Sequence, residues 1–333
     1  MNTSKEFADW TTLRTIQAQA VATYTLREVL RRLDRLEREL TAAIFSADLD
    51  GRKAPGKQRQ ALAEFKSEVE EKISIFYREL LSRTEEDFAT LAEREDEAQR
   101  LAFPVFGKVR QSGVFNVSAM MILGASLRQW YSRQAGDLQF RTVQAMRQGL
   151  DASEAPAKLA ERIKGGTDAA GMETAPVIAT SKRAAEVIIR TAVTQIQSEI
   201  TFGLAERLPA SVDYGWQQIS ILDGRTTQIC KSYAFKIWTK DFKPIGHSFP
   251  FAGGVPRHAN CRSRIVLYML DDGPSKELTF RAWLDTLTPQ QQTQIFGKNR
   301  IALWKAGKLT EQDLIRQQWQ AINPEDINND NDK

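Results

Sequence analysis

The chain has 333 residues, of which 42% are hydrophobic and 26% are charged, and its formal net charge is +4. This composition is ordinary for a soluble globular protein, and the length predicts two domains or one large domain with extensions. No apolar run is long enough for a transmembrane helix and no apolar signal core follows the first residues, so we expect no membrane partner. Two cysteines without a signal predict synthesis in a reducing cytoplasm.

Residues 1–105 predict a hairpin of long helices. Leu26, Leu33 and Leu40 are seven residues apart, and an apolar residue follows three positions after each of them, which gives three heptads. A Gly- and Pro-containing loop at 50–57 breaks this helix, and a second apolar stripe at helical spacing follows it. A short loop between two such helices favours an antiparallel pair. We expect a helical scaffold, with docking of the apolar stripe on a partner helix as the alternative.

Residues 106–150 predict a basic helical segment. The spacing of apolar residues predicts one helix over 118–135 and another over 138–150, with Gly136 between them. Basic residues exceed acidic ones in this segment and again over 211–270, whereas the rest of the chain is close to neutral or acidic. Two basic segments in such a chain are a modest electrostatic indication of DNA binding.

Residues 151–270 predict a compact module. Helical spacing covers 155–163 and 181–208, and the period then changes to alternation over 212–221, which is typical of a strand with one buried face. A second strand is predicted at 264–270, and we expect the two strands to pair. The fold class is therefore α+β and predominantly helical, with a long helical N-terminal half and a compact module that contains a small antiparallel sheet.

The remainder of the chain predicts C-terminal helices over 271–321. One is expected over 279–287, Pro289 opens the next, and Gly307 stops it before a threonine-capped turn. The last stretch, 322–333, is rich in Asn and Asp and is predicted to be disordered.

Both cysteines and both histidines of the chain fall in one short region: Cys230, His247, His258 and Cys261. Thiolate and imidazole are the preferred ligands of zinc, so this set is a candidate for a tetrahedral zinc site, although its longer gaps do not match the familiar finger spacings. Two alternatives stay open from the residues alone: a disulfide between the cysteines in an oxidising compartment, or two buried thiols with two surface imidazoles. A catalytic cysteine–histidine pair is a further alternative.

Two sequence segments around this cluster carry a resemblance to a known family. One reads Asp-Gly-Arg-Thr at 223–226 and is followed by Cys230, and the other reads His-Ala-Asn-Cys-Arg at 258–262 before a hydrophobic strand. The helix upstream contributes Arg-Thr at 190–191. Over residues 157–270 the pattern resembles the signature of the phage Mu F-type head-morphogenesis family, whose members are minor capsid proteins.

The chain departs from the family pattern at three positions. Ala259 replaces a proline, Ser263 replaces the last cysteine, and Ala192 replaces a common glutamate. The replacement at Ser263 removes one usual sulfur ligand, which counts against zinc.

The resemblance implies a protein present in few copies in the virion head and made in the host cytoplasm during assembly. Its expected partners are the portal protein and other head proteins. The family motif implies structural residues that pin the loop around the cysteines, with an acid and a base in a substrate cleft as the alternative. These residues are Arg190, Thr191, Asp223, Arg225, Thr226 and Arg262.

Basic and aromatic residues alternate within the module, and such a mixture can hold a phosphate backbone and stack bases. Two interpretations stay open: a solvated surface over an ordinary aromatic core, or non-specific contact with DNA. The basic residues proposed for this contact are Lys231, Lys236, Lys240, Lys243, Arg257 and Arg264.

Phosphate-loop, nucleophile-elbow and His-Glu-x-x-His motifs are all missing from the sequence, so we expect a structural protein rather than an enzyme. The enzymatic alternative is a metal-dependent nuclease or hydrolase carried in the particle. It would use Asp223, His258 and Cys261 around a metal with an open position.

Overall fold

A computed structural model describes residues 3–102, 109, 115–167, 173–174, 176–222, 226–269, 284–285 and 287–309. Most of these residues are helical and the strands form small antiparallel sheets, which confirms the predicted α+β class. Within these ranges, no helix combines the length and the apolar character that crossing a bilayer requires.

Two compact units make up the chain, and each is assembled from separate segments. The first unit comprises residues 1–24, 88–116 and 190–333, and the second comprises 25–87 and 117–189. Their limits do not coincide with the segments predicted from sequence, because long helices contribute residues to both units.

Two long helices, α1 (Thr3–Ser46) and α2 (Pro55–Ala102), form the predicted N-terminal hairpin. In the second unit they run antiparallel: Ser46 hydrogen-bonds Glu68, whereas the earlier Arg32 acts electrostatically on the later Asp87. The heptad leucines are all buried, which explains the seven-residue spacing. The turn between the helices is held by the side-chain amide of Gln58, which donates to two carbonyls of the loop.

The rest of the second unit follows α2. A tight hairpin of β1 (Met121–Ile122) and β2 (Ala125–Ser126) leads into α3 (Leu127–Asp151) and α4 (Pro156–Lys164). The short strands β3 (Gly166–Thr167) and β4 (Glu173–Thr174) then pair, and α5 (Ala179–Ala205) begins.

The two helices predicted over 118–135 and 138–150 are wrong, because one helix, α3, runs through Gly136. Its start is set by a capping box: the hydroxyl of Ser126 accepts from the amide of Gln129, whose side chain accepts from the amide of Ser126. Glycine inside a helix costs only about 1 kcal/mol relative to alanine, so Gly136 does not interrupt it.

The first unit contains the second half of α5 and a sheet. Its strands are β5 (Tyr214–Ile219), β6 (Ile237–Thr239), β7 (Pro244–Ile245) and β8 (Arg264–Met269), with α6 (Gln228–Tyr233) between the first two. The order is β7-β6-β5-β8 and every neighbouring pair is antiparallel. The predicted pairing of the strand after α5 with the strand before residue 270 is therefore confirmed.

One expectation about β5 is wrong. It was predicted to have a single buried face, but every residue from Gly215 to Ile219 is buried, including Gln217 and Gln218. Polar side chains on β5 find their partners inside the unit: the carboxamide of Gln218 accepts from Arg257 and donates to Ser220.

At the C-terminal end, α7 (Pro289–Phe296) opens at the predicted proline and α8 (Lys298–Lys305) ends before Gly307. A small apolar cluster of the first unit joins this region to its other segments: Ile16, Ile221, Leu284, Phe296 and Ile301. The predicted capped turn after 309, the disordered tail and most of the helix expected over 279–287 lie outside the described residues.

A buried carboxylate ties the sheet of the first unit to α2. Glu95 is fully buried and accepts hydrogen bonds from Arg264 at 2.9 Å and from Arg14 at 2.8 Å. The amide of Gln99 donates to the same carboxylate at 3.0 Å. Burial by itself raises the pKa of Glu95, but the guanidinium of Arg264 and then that of Arg14 outweigh it, so its pKa lies at about 2.

We expect Glu95→Ala to lower the free energy of unfolding by about 3–5 kcal/mol, because it leaves the charge of Arg264 buried without its partner. Glu93→Ala, an exposed change on the same helix, is the matched control. Chemical denaturation of both variants is the measurement, and equal midpoints would contradict a central role for the ion pair.

The same carboxylate predicts an acid dependence of stability. The pKa of Glu95 is lower in the folded protein than the ordinary value of about 4.3, so its contribution is present above that value and is lost as the pH falls toward 2. Glu95→Gln should therefore flatten the loss of stability between about pH 4.3 and pH 2.

Candidate metal centre

Three of the four predicted ligands lie together in the first unit. The sulfur of Cys230 is 3.1 Å from Nε2 of His258 and 3.7 Å from the sulfur of Cys261. The ligand atoms of all three residues lie within 4.8 Å of one another. Both sulfurs are buried and form no disulfide, whereas His258 is only half-buried.

Two short segments bring these side chains together. Cys230 is on the inner side of α6, which begins directly after Thr227, and His258 and Cys261 belong to the loop before β8. A turn in that loop places the amide of Cys261 3.2 Å from the carbonyl of His258, with Asn260 at a positive φ of 60°. The sheet pairing of β5 with β8 brings the two segments to the same end of the sheet.

The main chain on both sides of the cluster is held by buried hydroxyls. Ser220 donates to the carbonyl of Cys230 at 3.2 Å and contacts the hydroxyl of Ser263 at 2.9 Å. From α5, the hydroxyl of Thr194 donates to the carbonyl of Cys261 at 2.7 Å. These hydrogen bonds fix the backbone that carries the sulfurs and leave the sulfurs themselves facing each other.

The ring of His258 has a defined orientation. Its Nδ1 lies 2.7 Å from the carbonyl oxygen of Ala259, which can only accept, so Nδ1 carries the proton. Nε2 then presents its lone pair toward Cys230, and the hydroxyl of Thr227 lies 2.9 Å from the same nitrogen.

The two thiols titrate as a pair. The hydrogen bond from Cys261 is the main cause that lowers the pKa of Cys230, to about 5, against the opposing effect of burial. The same hydrogen bond, together with burial, raises the pKa of Cys261 above its ordinary value. One proton leaves the pair readily and the second is retained, which is the behaviour of two sulfurs that share a site.

His247 does not belong to this cluster, so the four-ligand prediction is wrong at that residue. Its Nε2 lies 2.8 Å from the carbonyl and 3.2 Å from the amide of Ile237, and its ring contacts Trp238 edge-on. Through these contacts, His247 joins the loop that follows β7 to Ile237 of β6. His247 was grouped with the cysteines because it is close to them in sequence, but in the fold it lies against β6 and away from their cluster.

Two of the predicted structural residues make main-chain contacts, and a third contacts a side chain. Thr191 is fully buried and its hydroxyl accepts from the amide of Asn260 at 3.0 Å. Thr226 donates to the carbonyl of Ile221, and Arg190 donates to Gln19 at 3.3 Å.

Three further residues of the family motif complete this account. Arg262 is half-buried beside the cluster. Asp223 and Arg225 lie outside the described residues, so the predicted contacts of their side chains remain predictions.

The basic residues predicted to contact DNA divide into two groups. Arg264 is 1% exposed and bound to Glu95, so its assignment to DNA is wrong. The guanidinium of Arg257 is half-buried, lies 3.6 Å from the centre of the Tyr233 ring and donates to Gln218, so it too is engaged inside the unit.

The lysines form the second group. Lys231, Lys240 and Lys243 are exposed, whereas the half-buried Lys236 has its ammonium 5.6 Å from the centre of the Phe249 ring. Of the six basic residues, the three exposed lysines have side-chain charges that a phosphate backbone can reach.

Sequence reasoning missed the hydroxyls that support the cluster. Thr194 lies three positions after Thr191 and therefore on the same face of α5, a spacing that was available as a signal. Ser220 and Ser263 carried no such signal, because their proximity depends on the pairing of β5 with β8.

Comparison of the chain with protein families, with curated proteins and with solved structures found no significant match.

We expect Thr194→Val to lower the free energy of unfolding by about 1–2 kcal/mol, because it leaves the buried carbonyl of Cys261 without its donor. Thr194→Ser keeps the hydroxyl and should lose much less. Thermal or chemical denaturation compares the two, and a larger loss in the serine variant would show that packing of the methyl group matters more than the hydrogen bond.

Proposed function

We propose that this protein is a minor head protein of the phage Mu F type that acts in head morphogenesis and associates with the portal vertex. The observation that carries the proposal is the contact between two separate pieces of the resemblance. The hydroxyl of Thr191, from the Arg-Thr element of α5, holds the amide of Asn260 in the His-Ala-Asn-Cys-Arg loop. These two motif segments are far apart in the sequence, and their contact fixes the conformation of the loop, which suits a structural role.

The chemistry of the motif residues supports a structural role. The hydroxyls of the motif residues Thr191 and Thr226, and that of Thr194 beside them on α5, all contact main-chain atoms of their own unit. A catalytic acid or base needs an ionisable group that faces substrate, and these hydroxyls face backbone instead. These contacts are those of a motif that stabilises the loop before β8.

The exposed lysines Lys231, Lys240 and Lys243 support a subsidiary role in contact with packaged DNA. Lysines on a folded surface neutralise phosphates without reading bases, so this contact is non-specific.

Quantitative mass spectrometry of mature particles and DNA-free proheads from the phage that encodes this chain tests the proposal. We expect a few copies in both, because a portal-vertex component is built in before packaging and stays. Presence only in proheads would indicate an assembly factor that leaves. Absence from both would refute the minor-head assignment.

A second function, a metal-dependent nuclease carried in the particle, is favoured by one observation. The cluster offers two thiols and one imidazole, with His258 half-buried on its outer side. Three protein ligands with access from solvent are the arrangement of catalytic zinc sites, in which the fourth position holds a reactive water.

One experiment separates DNA contact from cleavage. Plasmid DNA is incubated with the full chain and either Zn²⁺ or Mg²⁺, and the products are run with and without prior removal of protein. We expect retarded, intact DNA at low salt, with less retardation for the double variant Lys240→Ala/Lys243→Ala. Retardation should weaken as salt increases, because the contact depends on phosphate neutralisation.

Nicked or linear DNA that disappears in the His258→Gln variant would instead establish the nuclease. The matched control for the Lys240→Ala/Lys243→Ala variant is Arg59→Ala/Lys66→Ala, which also removes two exposed positive charges, but from α2. It should retard DNA as the unmodified chain does.

A further inference from the structure

We propose that Cys230, Cys261 and Nε2 of His258 bind one zinc ion, which fastens the loop before β8 to α6. The proposal does not depend on the assignment as a head protein, since it rests on the geometry and chemistry of these side chains. It also replaces the four-ligand set predicted from sequence, because His247 is bound elsewhere.

The spacing of the ligand atoms fits a tetrahedral ion. With Zn–S near 2.3 Å and Zn–N near 2.0 Å, two sulfurs on a tetrahedron lie about 3.8 Å apart and a sulfur and a nitrogen about 3.5 Å apart. The two sulfurs of the cluster are 3.7 Å apart, and the sulfur of Cys230 is 3.1 Å from Nε2 of His258. The third pair, the sulfur of Cys261 and the ring of His258, lies within 4.8 Å. An ion therefore needs a few tenths of an ångström of adjustment at two pairs and up to about 1.3 Å at the third.

The histidine is already set for coordination. The carbonyl of Ala259 holds the proton on Nδ1, so Nε2 presents its lone pair to the space beside Cys230. Zinc-bound histidines have this arrangement, in which an outer hydrogen bond fixes the tautomer and the ring orientation. His247 shows the contrast, because its Nε2 lies against the main chain of Ile237.

The backbone around the sulfurs is fixed in the way that metal sites require. Ser220 holds the carbonyl of Cys230, and Thr194 holds the carbonyl of Cys261. Two thiolates and one Zn²⁺ sum to zero charge, so a zinc-bound cluster would bury no net charge.

Solvent reaches the cluster on the side of Thr227. Its hydroxyl is 2.9 Å from Nε2 of His258 and is exposed, so a water molecule can reach the ion there. In the part of the chain that the structure describes, no further His, Cys, Asp or Glu joins the three ligands. Within the described residues, the proposed ligand set is therefore two cysteines and one histidine.

The first test uses the unmodified full chain. It is purified under reducing conditions, supplied with Zn²⁺, dialysed, and analysed for metal. We expect about one equivalent of zinc per chain, and less than about 0.1 equivalent would overturn the proposal. Substitution by Co²⁺ should give a sulfur-to-cobalt charge-transfer absorption, which reports thiolate ligands directly.

Thiol titration provides a second readout on the same protein. Since the chain has only two cysteines, an aromatic disulfide reagent counts both ligands and nothing else. Zinc-loaded protein should react slowly, and addition of a chelator should release both thiols. Two thiols that react equally fast with and without metal would contradict the proposal, as would their absence through disulfide formation in freshly reduced protein.

Variants identify the ligands. Cys230→Ser, Cys261→Ser and His258→Gln should each lower zinc affinity by about 10-fold or more, the range in which even outer-shell changes act. The matched control is His247→Gln, which changes the chain's other histidine and should keep the metal and the cobalt absorption. Retention of full zinc affinity in Cys230→Ser/Cys261→Ser, or its loss only in His247→Gln, would refute the assignment.

Discussion

The buried pair of Glu95 and Arg264 is the interaction on which the first unit depends. A charge that is 1% exposed is tolerated only with a partner, and Arg264 finds that partner on α2. Arg264 is the first residue of β8, so the pair fixes the point at which the loop ends and the sheet begins. Cys261 lies three residues before Arg264, and Ser263, which supports the cluster through Ser220, directly precedes it.

A second set of contacts approaches the same loop from α5. Thr191 and Thr194 are one helical turn apart and bind consecutive residues of the loop, the amide of Asn260 and the carbonyl of Cys261. The loop therefore has its end fixed by an ion pair and its middle fixed by hydroxyls. Because both kinds of contact are buried, they are strong relative to equivalent contacts in water.

The sequence predicted these elements to different degrees, for physical reasons. Heptad leucines and the alternation around Trp216 are local patterns, and they correctly indicated the long helices and the pairing of β5 with β8. The cysteine cluster was visible because rare residues were close in sequence. His247 and Arg264 were misplaced because their roles depend on distant partners, the main chain of Ile237 and the carboxylate of Glu95. Arginines usually lie on the surface, so the sequence alone places Arg264 there. Its burial depends on Glu95, which is far away in the sequence.

Strand register couples the ion pair to the proposed metal site. Ile219 lies opposite Arg264 in the ladder of β5 and β8, so Ser220 and Ser263 meet just beyond it and support the sulfur-bearing backbone. A slip of one residue would turn Arg264 to the other face of the sheet and separate it from Glu95. The same slip would move Cys261 away from Cys230. The buried charge thus selects the one register in which the three ligands converge, and a bound zinc ion would stabilise that register in return.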